Sequence, residues 1–240
     1  MKRILVLSLA VVALCAAMVW ASAPKPTLTP DQALERLQRG NERFVASKFI
    51  HPNLDPFRRT TTAKDGQKPF VTILGCADSR VPLELVFDTG IGDIFAVRVA
   101  GNVTYFDQAG TIEYGADHLG SNLLVVLGHT KCGAVNAVLK GEEAHGNIPA
   151  LVANIVPPVT KTKADNPGLS GEELANKAIE ANTWQSIADL FKQSPMMREM
   201  VKAKQVKVVG AIYDVESGKV SWLGEHPNQE ELLALTGGAK

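Results

Sequence analysis

The chain has 240 residues, 45% of them hydrophobic and 21% charged, with 25 basic residues against 25 acidic ones. That balance belongs to a globular protein long enough to bury a sizeable core, and it excludes a disordered or fibrous chain. A formal charge of zero leaves no electrostatic footprint for nucleic acid, so no nucleic-acid partner is expected.

The N-terminus reads separately from the rest. Met1-Lys2-Arg3 is basic, Ile4 to Trp20 is apolar, and Ala21-Ser22-Ala23 is a small-residue cleavage pattern. This is the layout of a secretory signal peptide over residues 1–23, cut after Ala23, with one domain over residues 24–240. A retained membrane anchor is the competing reading, but Ile4–Trp20 is at the short limit for crossing a bilayer. Leu14 before Cys15 is too large for a lipoprotein signal. The expected product is therefore periplasmic or secreted, with no stable membrane anchor. It loses Lys2 and Arg3 but no acidic residue, which leaves it slightly negative. In an oxidising compartment cysteines usually pair. Removal of Cys15 leaves only Cys76 and Cys132, for which a disulfide and a metal site are the two readings.

In chain order, Thr29-Pro30-Asp31-Gln32 is a capping box with proline at the first helical position. It opens one or two amphipathic helices over about Pro30 to Ser47, an N-terminal helical arm. His51 to Gln67 reads as a loop or irregular helix on the surface. Phe70 to Gly75 is an apolar run bounded by glycine, hence a buried strand, and it releases Cys76-Ala77-Asp78-Ser79-Arg80. Val81 to Phe87 suggests a short helix. Asp93 to Val99 is a second strand, in which Arg98 is expected to reach a partner. Ala100-Gly101-Asn102 is a turn, and Gln108 to Leu119 a helix stopped by Gly120. Asn122 to Gly128 has the composition of a central parallel strand. It ends in Gly128-His129-Thr130-Lys131-Cys132-Gly133, after which Ala134 to Leu139 continues as helix. Pro157-Pro158 is expected to break the apolar Ile148–Val156 stretch, and Thr160 to Gly171 to form a loop. Glu172 to Gln193 is a long helix, Ser194-Pro195 opens a shorter one, and Val206–Tyr213 with Lys219–Leu223 form a hairpin. The alternation of strand and helix predicts an α/β fold, with a mainly parallel central sheet flanked by helices.

Two of these strands end in metal-ligand types, Cys76 on one and His129 with Cys132 on the other. Sites in open α/β sheets gather at the carboxyl ends of strands. Two thiolates and an imidazole make a soft tetrahedral site suited to Zn²⁺, and three protein ligands leave the fourth position open, as catalytic zinc requires. Zinc with two thiolates is formally neutral and a weaker Lewis acid than zinc held by three histidines. An acceptor is then needed to orient the nucleophile at the fourth position. Asp78 is placed for that, and Arg80 can hold it ionised through a bidentate pair.

Cys76-x-Asp78-Ser79-Arg80 followed by His129-x-x-Cys132 resembles the β-class carbonic anhydrases. Asn41-Glu42-Arg43-Phe44, Gln67-x-Pro69, Gly92-Asp93-x-Phe95-x-Val97-Arg98, Gly101-Asn102 and Ile112-Glu113-Tyr114 extend the resemblance over nearly all of the mature chain. The resemblance implies one Zn²⁺ per chain on Cys76, His129 and Cys132, with Asp78 and Arg80 as the dyad beside the fourth position. It implies Gln67 as a bicarbonate-binding residue contributed across a dimer interface. Phe95, Ala100 and Tyr114 match positions lining an apolar CO₂ pocket, and Gly133 a backbone position near substrate. A homodimer or a dimer of dimers follows from the same pattern. One branch of the family closes its site with the aspartate and carries a Trp three residues before the first Cys; here that residue is Ile73, so an open site is expected. The implied activity is zinc-dependent, reversible hydration of carbon dioxide to bicarbonate and a proton. A hydrolase of CS₂ or COS on the same scaffold, and a non-catalytic zinc or bicarbonate binder, are the alternatives. His51, His118, His145 and His226 read as surface or structural histidines rather than as an identifiable proton shuttle.

Overall fold

In the computed structural model, which describes residue 26 and residues 28–237, the first helix, α1, runs Pro30–Val45. The signal peptide expected over residues 1–23 lies outside the described residues. Thr29 and Gln32 exchange the two hydrogen bonds of the expected capping box, at 2.9 and 3.2 Å. Gly40 does not divide α1 in two. It lets the helix approach Phe87, whose carbonyl oxygen would lie 1.9 Å from a Cβ at that position.

The five strands are β1 (Val71–Gly75), β2 (Ile94–Arg98), β3 (Leu123–His129), β4 (Lys207–Tyr213) and β5 (Val220–Gly224). They form one sheet in the order β2-β1-β3-β4-β5. All neighbours are parallel except the β4–β5 hairpin. β3 is the central strand, and all seven of its residues are buried, as its unbroken apolar composition dictates. Side chains alternate between the two faces of the sheet. Ile73, Leu123, Val125, Leu127 and Val209 join one core cluster, with Leu37 of α1. Leu74, Leu124, Val126 and Val208 join the other.

The helices that follow are α2 (Pro56–Asp65), α3 (Leu83–Val86), α4 (Phe106–Glu113), α5 (Gly133–Lys140), α6 (Ile148–Val152), α7 (Val156–Asp165), α8 (Gly171–Gln193), α9 (Pro195–Lys202) and α10 (Gln229–Leu233). Three places refine or change the sequence expectation. The segment read as a loop or irregular helix contains α2, capped by Asp55, whose carboxylate accepts from the Arg58 amide at 2.9 Å. Pro157-Pro158 does not end a helix but begins α7. Proline is tolerated in the first turn, where its missing N–H has no acceptor to lose, so the expected loop from Thr160 is helical as far as Asp165. The helix expected to reach Leu119 passes into a π turn over Tyr114–His118.

The chain leaves β1 for β2 on one side, while β3 lies on the other. That reversal opens a crevice at the carboxyl ends of β1 and β3, where ligands of such sheets bind. Gly75 pairs with Leu127, which brings Cys76 level with Gly128 and next to His129. A third core cluster closes this end of the molecule: Cys76 and Cys132 with Val103, Val135, Ile155, Val159, Ala178 and Ile179.

Candidate metal centre

Cys76, His129 and Cys132 are all buried, and their ligand atoms lie within 4.8 Å of one another. Neither cysteine is in a disulfide. β3 carries His129 to the sheet edge. Lys131 then turns the backbone into the left-handed region at φ 59°, and Cys132 arrives as the residue preceding α5.

The histidine shows how it would bind a metal. Its ring is fully buried. Nδ1 lies 2.9 Å from the Thr130 carbonyl oxygen, which has no hydrogen to give, so Nδ1 carries the proton and donates. Nε2 is left as a buried acceptor with no hydrogen-bond partner. An orphaned buried nitrogen is costly, and a cation shared with two sulfurs satisfies it. The donor set of one imidazole and two thiols fits a soft, tetrahedral divalent ion.

The thiols are poised unequally. Cys76 is lowered to about 4. The Cys132 thiol donates to it, against the opposing effect of burial, and the Gly101 and Asp78 amides add to the lowering. Those amides reach the Cys76 sulfur at 3.3 and 3.4 Å. Gly101 sits at φ 75°, and a Cβ there would come within 2.6 Å of Ile155; glycine lets this turn fold over the sulfur. Cys132 moves upward, chiefly because it shares its proton with Cys76 and is itself buried.

Asp78 stands at the rim, its Oδ2 3.9 Å from His129 Nε2. Arg80 grips it through both oxygens, at 3.0 and 2.7 Å. The guanidinium lowers the carboxyl to about 2 against a smaller opposing effect of burial, so it is an acceptor at neutral pH. Arg98 reaches the partner its place in a strand called for. It donates to the Cys76 carbonyl at 3.0 Å and to the Asp78 carbonyl at 2.8 Å.

Of the residues singled out in the sequence, Cys76, Asp78, Arg80, Ala100, His129, Cys132 and Gly133 come together here. Ala100 is half-buried beside Gly101, and Gly133 is exposed next to Cys132. Gln67, Phe95 and Tyr114 do not join them. Phe95 is level with Thr72, about 13 Å along the sheet from Cys76 at some 3.3 Å per residue. Tyr114 packs on Phe95 with ring centroids 6.0 Å apart. Gln67 precedes β1 and lines an exposed cleft of about 670 Å³ with Tyr114, Arg59 and Gly92. Sequence reasoning passed over Asn182, which is buried on α8 and donates to the Gly101 carbonyl at 2.8 Å. A buried amide in a long helix leaves no periodic signal, because its position on the helix looks like any other polar one.

A family model described as carbonic anhydrase matches residues 71–220. Carbonic anhydrase 2 of Mycobacterium tuberculosis is 37% identical over 198 residues, 81% of this chain and 93% of its own length. The carbonic anhydrase of Mycolicibacterium smegmatis is 35% identical over 199 residues, 81% of this chain and 94% of its own. Among solved structures, a β-carbonic anhydrase of Aspergillus fumigatus superposes with a TM-score of 0.65 at 28% identity, over 74% of this chain and 89% of that one.

Proposed function

This chain belongs to the carbonic anhydrase family, in its β class, and from that premise we propose that it catalyses the reversible hydration of carbon dioxide to bicarbonate and a proton, with one zinc ion held by Cys76, His129 and Cys132. The observation that carries the reading is the Cys-His-Cys cluster with an arginine-locked carboxylate at its rim. Zinc, when bound, supplies a Lewis acid that makes water a nucleophile near neutral pH.

The chain's own residues do the rest. An ionised Asp78 can only accept, so an attacking water or hydroxide points its O–H at the carboxylate and turns a lone pair toward the carbon of CO₂. Arg80 keeps the carboxylate charged and oriented. The same grip supports an open fourth position, because Asp78 would have to leave two charge-assisted bonds to become a ligand. Val103 and Ile155, in the same buried cluster as both cysteines, provide the apolar surroundings that suit an uncharged substrate. The proton leaves to solvent.

Gln67, Phe95 and Tyr114 belong in this proposal to the site of a second copy, in a homodimer or a dimer of dimers. Their placement away from their own chain's cluster supports that assignment. Mixing tests it. A Gln67→Ala subunit paired with a Cys132→Ser subunit forms one site with all ligands and a partner glutamine, so activity should return; no recovery in a verified heterodimer sinks the assignment. For residues 1–23 we retain the reading of an export signal to the periplasm or exterior, which N-terminal sequencing of the exported protein checks.

The activity itself is tested by stopped-flow CO₂ hydration on protein whose zinc content is measured on the same sample. One zinc per chain with a rate well above buffer is expected. Zinc-loaded protein with no rate above buffer overturns the proposal.

A further inference from the structure

The Asn-Glu-Arg-Phe motif of α1 and the β4–β5 hairpin have no part in the site as described so far, yet both converge on the histidine ligand. His129 is set by one bond, from Nδ1 to the carbonyl of the very next residue, Thr130. That bond exists only if the Thr130 peptide is turned to present its oxygen, so whatever orients this peptide also chooses the histidine's tautomer.

Three contacts from the hairpin hold Thr130, the residue that supplies this carbonyl, and so limit how the peptide after it can turn. The Thr130 amide donates to the Tyr213 carbonyl at 2.9 Å. The Thr130 hydroxyl donates to Asp214 Oδ2 at 3.1 Å and accepts from the Val215 amide at 3.1 Å. The direction of the first hydroxyl bond is settled by Asp214, which the Ser217 side chain and amide hold below the ordinary carboxylate range. An ionised carboxylate accepts and cannot donate.

The hairpin turn is itself pinned. Buried Asn41 of α1 donates to the Gly218 carbonyl at 2.8 Å and accepts from the Val220 amide at 2.9 Å. The Asp214 backbone closes the turn through bonds to Lys219 and Gly218. A continuous set of bonds thus runs from α1 through the turn to the ligand loop.

The geometry points to Thr130 and Asp214 as positioning residues for the metal, which hold the Thr130 carbonyl where it keeps the His129 proton on Nδ1 and Nε2 free to ligate, with Asn41 as their anchor. Partners of a ligating histidine set its tautomer and ring orientation, and losing one costs about 10–100-fold in metal affinity. This inference rests on the zinc reading above.

The test uses the full-length mature protein, with zinc affinity measured by chelator competition and the ligand-field spectrum measured after cobalt substitution. Thr130→Val, which removes the hydroxyl at nearly constant shape, is expected to weaken zinc binding by about 10-fold or more and to shift the cobalt bands. Thr130→Ser, which restores the hydroxyl, should recover both. Asp214→Asn should show an intermediate loss. Glu216→Ala breaks only the exposed ion pair between Lys131 and Glu216 on the same turn and should change neither readout. A folded Thr130→Val protein with wild-type affinity and an unshifted spectrum overturns the inference. So does Glu216→Ala matching the Thr130→Val loss, which would trace the effect to the turn as a whole. Wild-type protein that takes up no zinc would instead overturn the functional reading.

Discussion

The two loops that bring the ligands together are held in different ways. The Cys76 loop is held by charge. Arg98 clamps two of its carbonyls and Arg80 grips its aspartate. Arg80 is half exposed, at 50%, and Asp78 17% exposed. The His129–Cys132 loop is tied down mainly by a hydroxyl, peptide groups and a hairpin, around a histidine with no exposed surface; charge touches it only at Lys131, whose carbonyl accepts from Arg80 at 3.1 Å and whose ammonium pairs with exposed Glu216. The first loop carries groups that can act on a substrate, and the second carries only ligands and their supports. Exposed charge pairs are screened by salt, and bonds from neutral donors inside the fold are screened much less. The loop at the site's mouth is therefore the one whose geometry should respond to ionic strength.

Removing a ligand breaks the comparison outright. Cys132→Ser takes away a thiolate for which a hydroxyl is no substitute, so stoichiometric zinc and activity should both be lost. The fall in zinc affinity should exceed the 10–100-fold typical of supporting residues; metal analysis after dialysis reads it. Asp78→Ala and Arg80→Ala come next, and they separate chemistry from metal binding. Each should retain one zinc per chain and lose about 10²-fold or more in kcat/KM, the scale of a positioned proton acceptor. Zinc lost in both variants would mean that the charged loop is a support like its neighbour.

Arg98 sharpens the contrast from the other side. Arg98→Ala leaves every ligand and the Asp78–Arg80 pair in place but frees the Cys76 and Asp78 carbonyls. Zinc affinity should fall by about 10-fold, at the low end for a residue supporting a ligand. Arg98→Lys should recover only part of it, because an ammonium cannot span two acceptors with a planar fork. Full recovery with lysine would show that charge alone, and not the fork, holds the loop.

What the sequence disclosed follows the same division. The strands were legible because unbroken, partly β-branched runs bury both faces of a parallel sheet, and the ligands because they end two such runs. Asp78 and Arg80 were legible because they sit two residues apart with opposite charge, and Arg98 because a charge in a core strand demands a partner. The supports of the second loop were not. Thr130 and Asp214 are 84 residues apart, and Asn41 and Gly218 are 177 apart. Each residue alone is an ordinary loop or helix polar group, and only the folded topology pairs them. The helix starting at Pro157 was misread because two prolines look like a stop unless the first turn is recognised as the place they fit. Asn182, Thr183 and Ser186, buried on α8, were hidden because their hydrogen bonds, and not apolarity, place them inside.

The smallest expected effect is on stability against pH. Asp78 and Asp214 both have folded-state pKa values below that of a free carboxyl, the first chiefly through Arg80 and the second chiefly through Ser217. A depressed carboxylate stabilises the fold above its unfolded pKa, near 3.9, and that contribution disappears as pH falls through the folded value. Asp214→Asn should therefore cost about 1 kcal/mol at pH 7, the scale of one hydrogen bond to a charged acceptor allowing for a partial replacement by the amide. The deficit should shrink once the wild-type carboxyl is itself protonated, below the ordinary carboxylate range. Because Thr130 and the Ser217 amide are neutral donors, the neutral-pH deficit should be nearly the same in low and high salt. The stability lost in Asp78→Asn should shrink as salt is raised, since its partner Arg80 is a half-exposed charge. Chemical denaturation of both variants at two ionic strengths measures this, and an equal salt response in the two would remove the distinction between a carboxylate held by an exposed charge and one held by neutral donors.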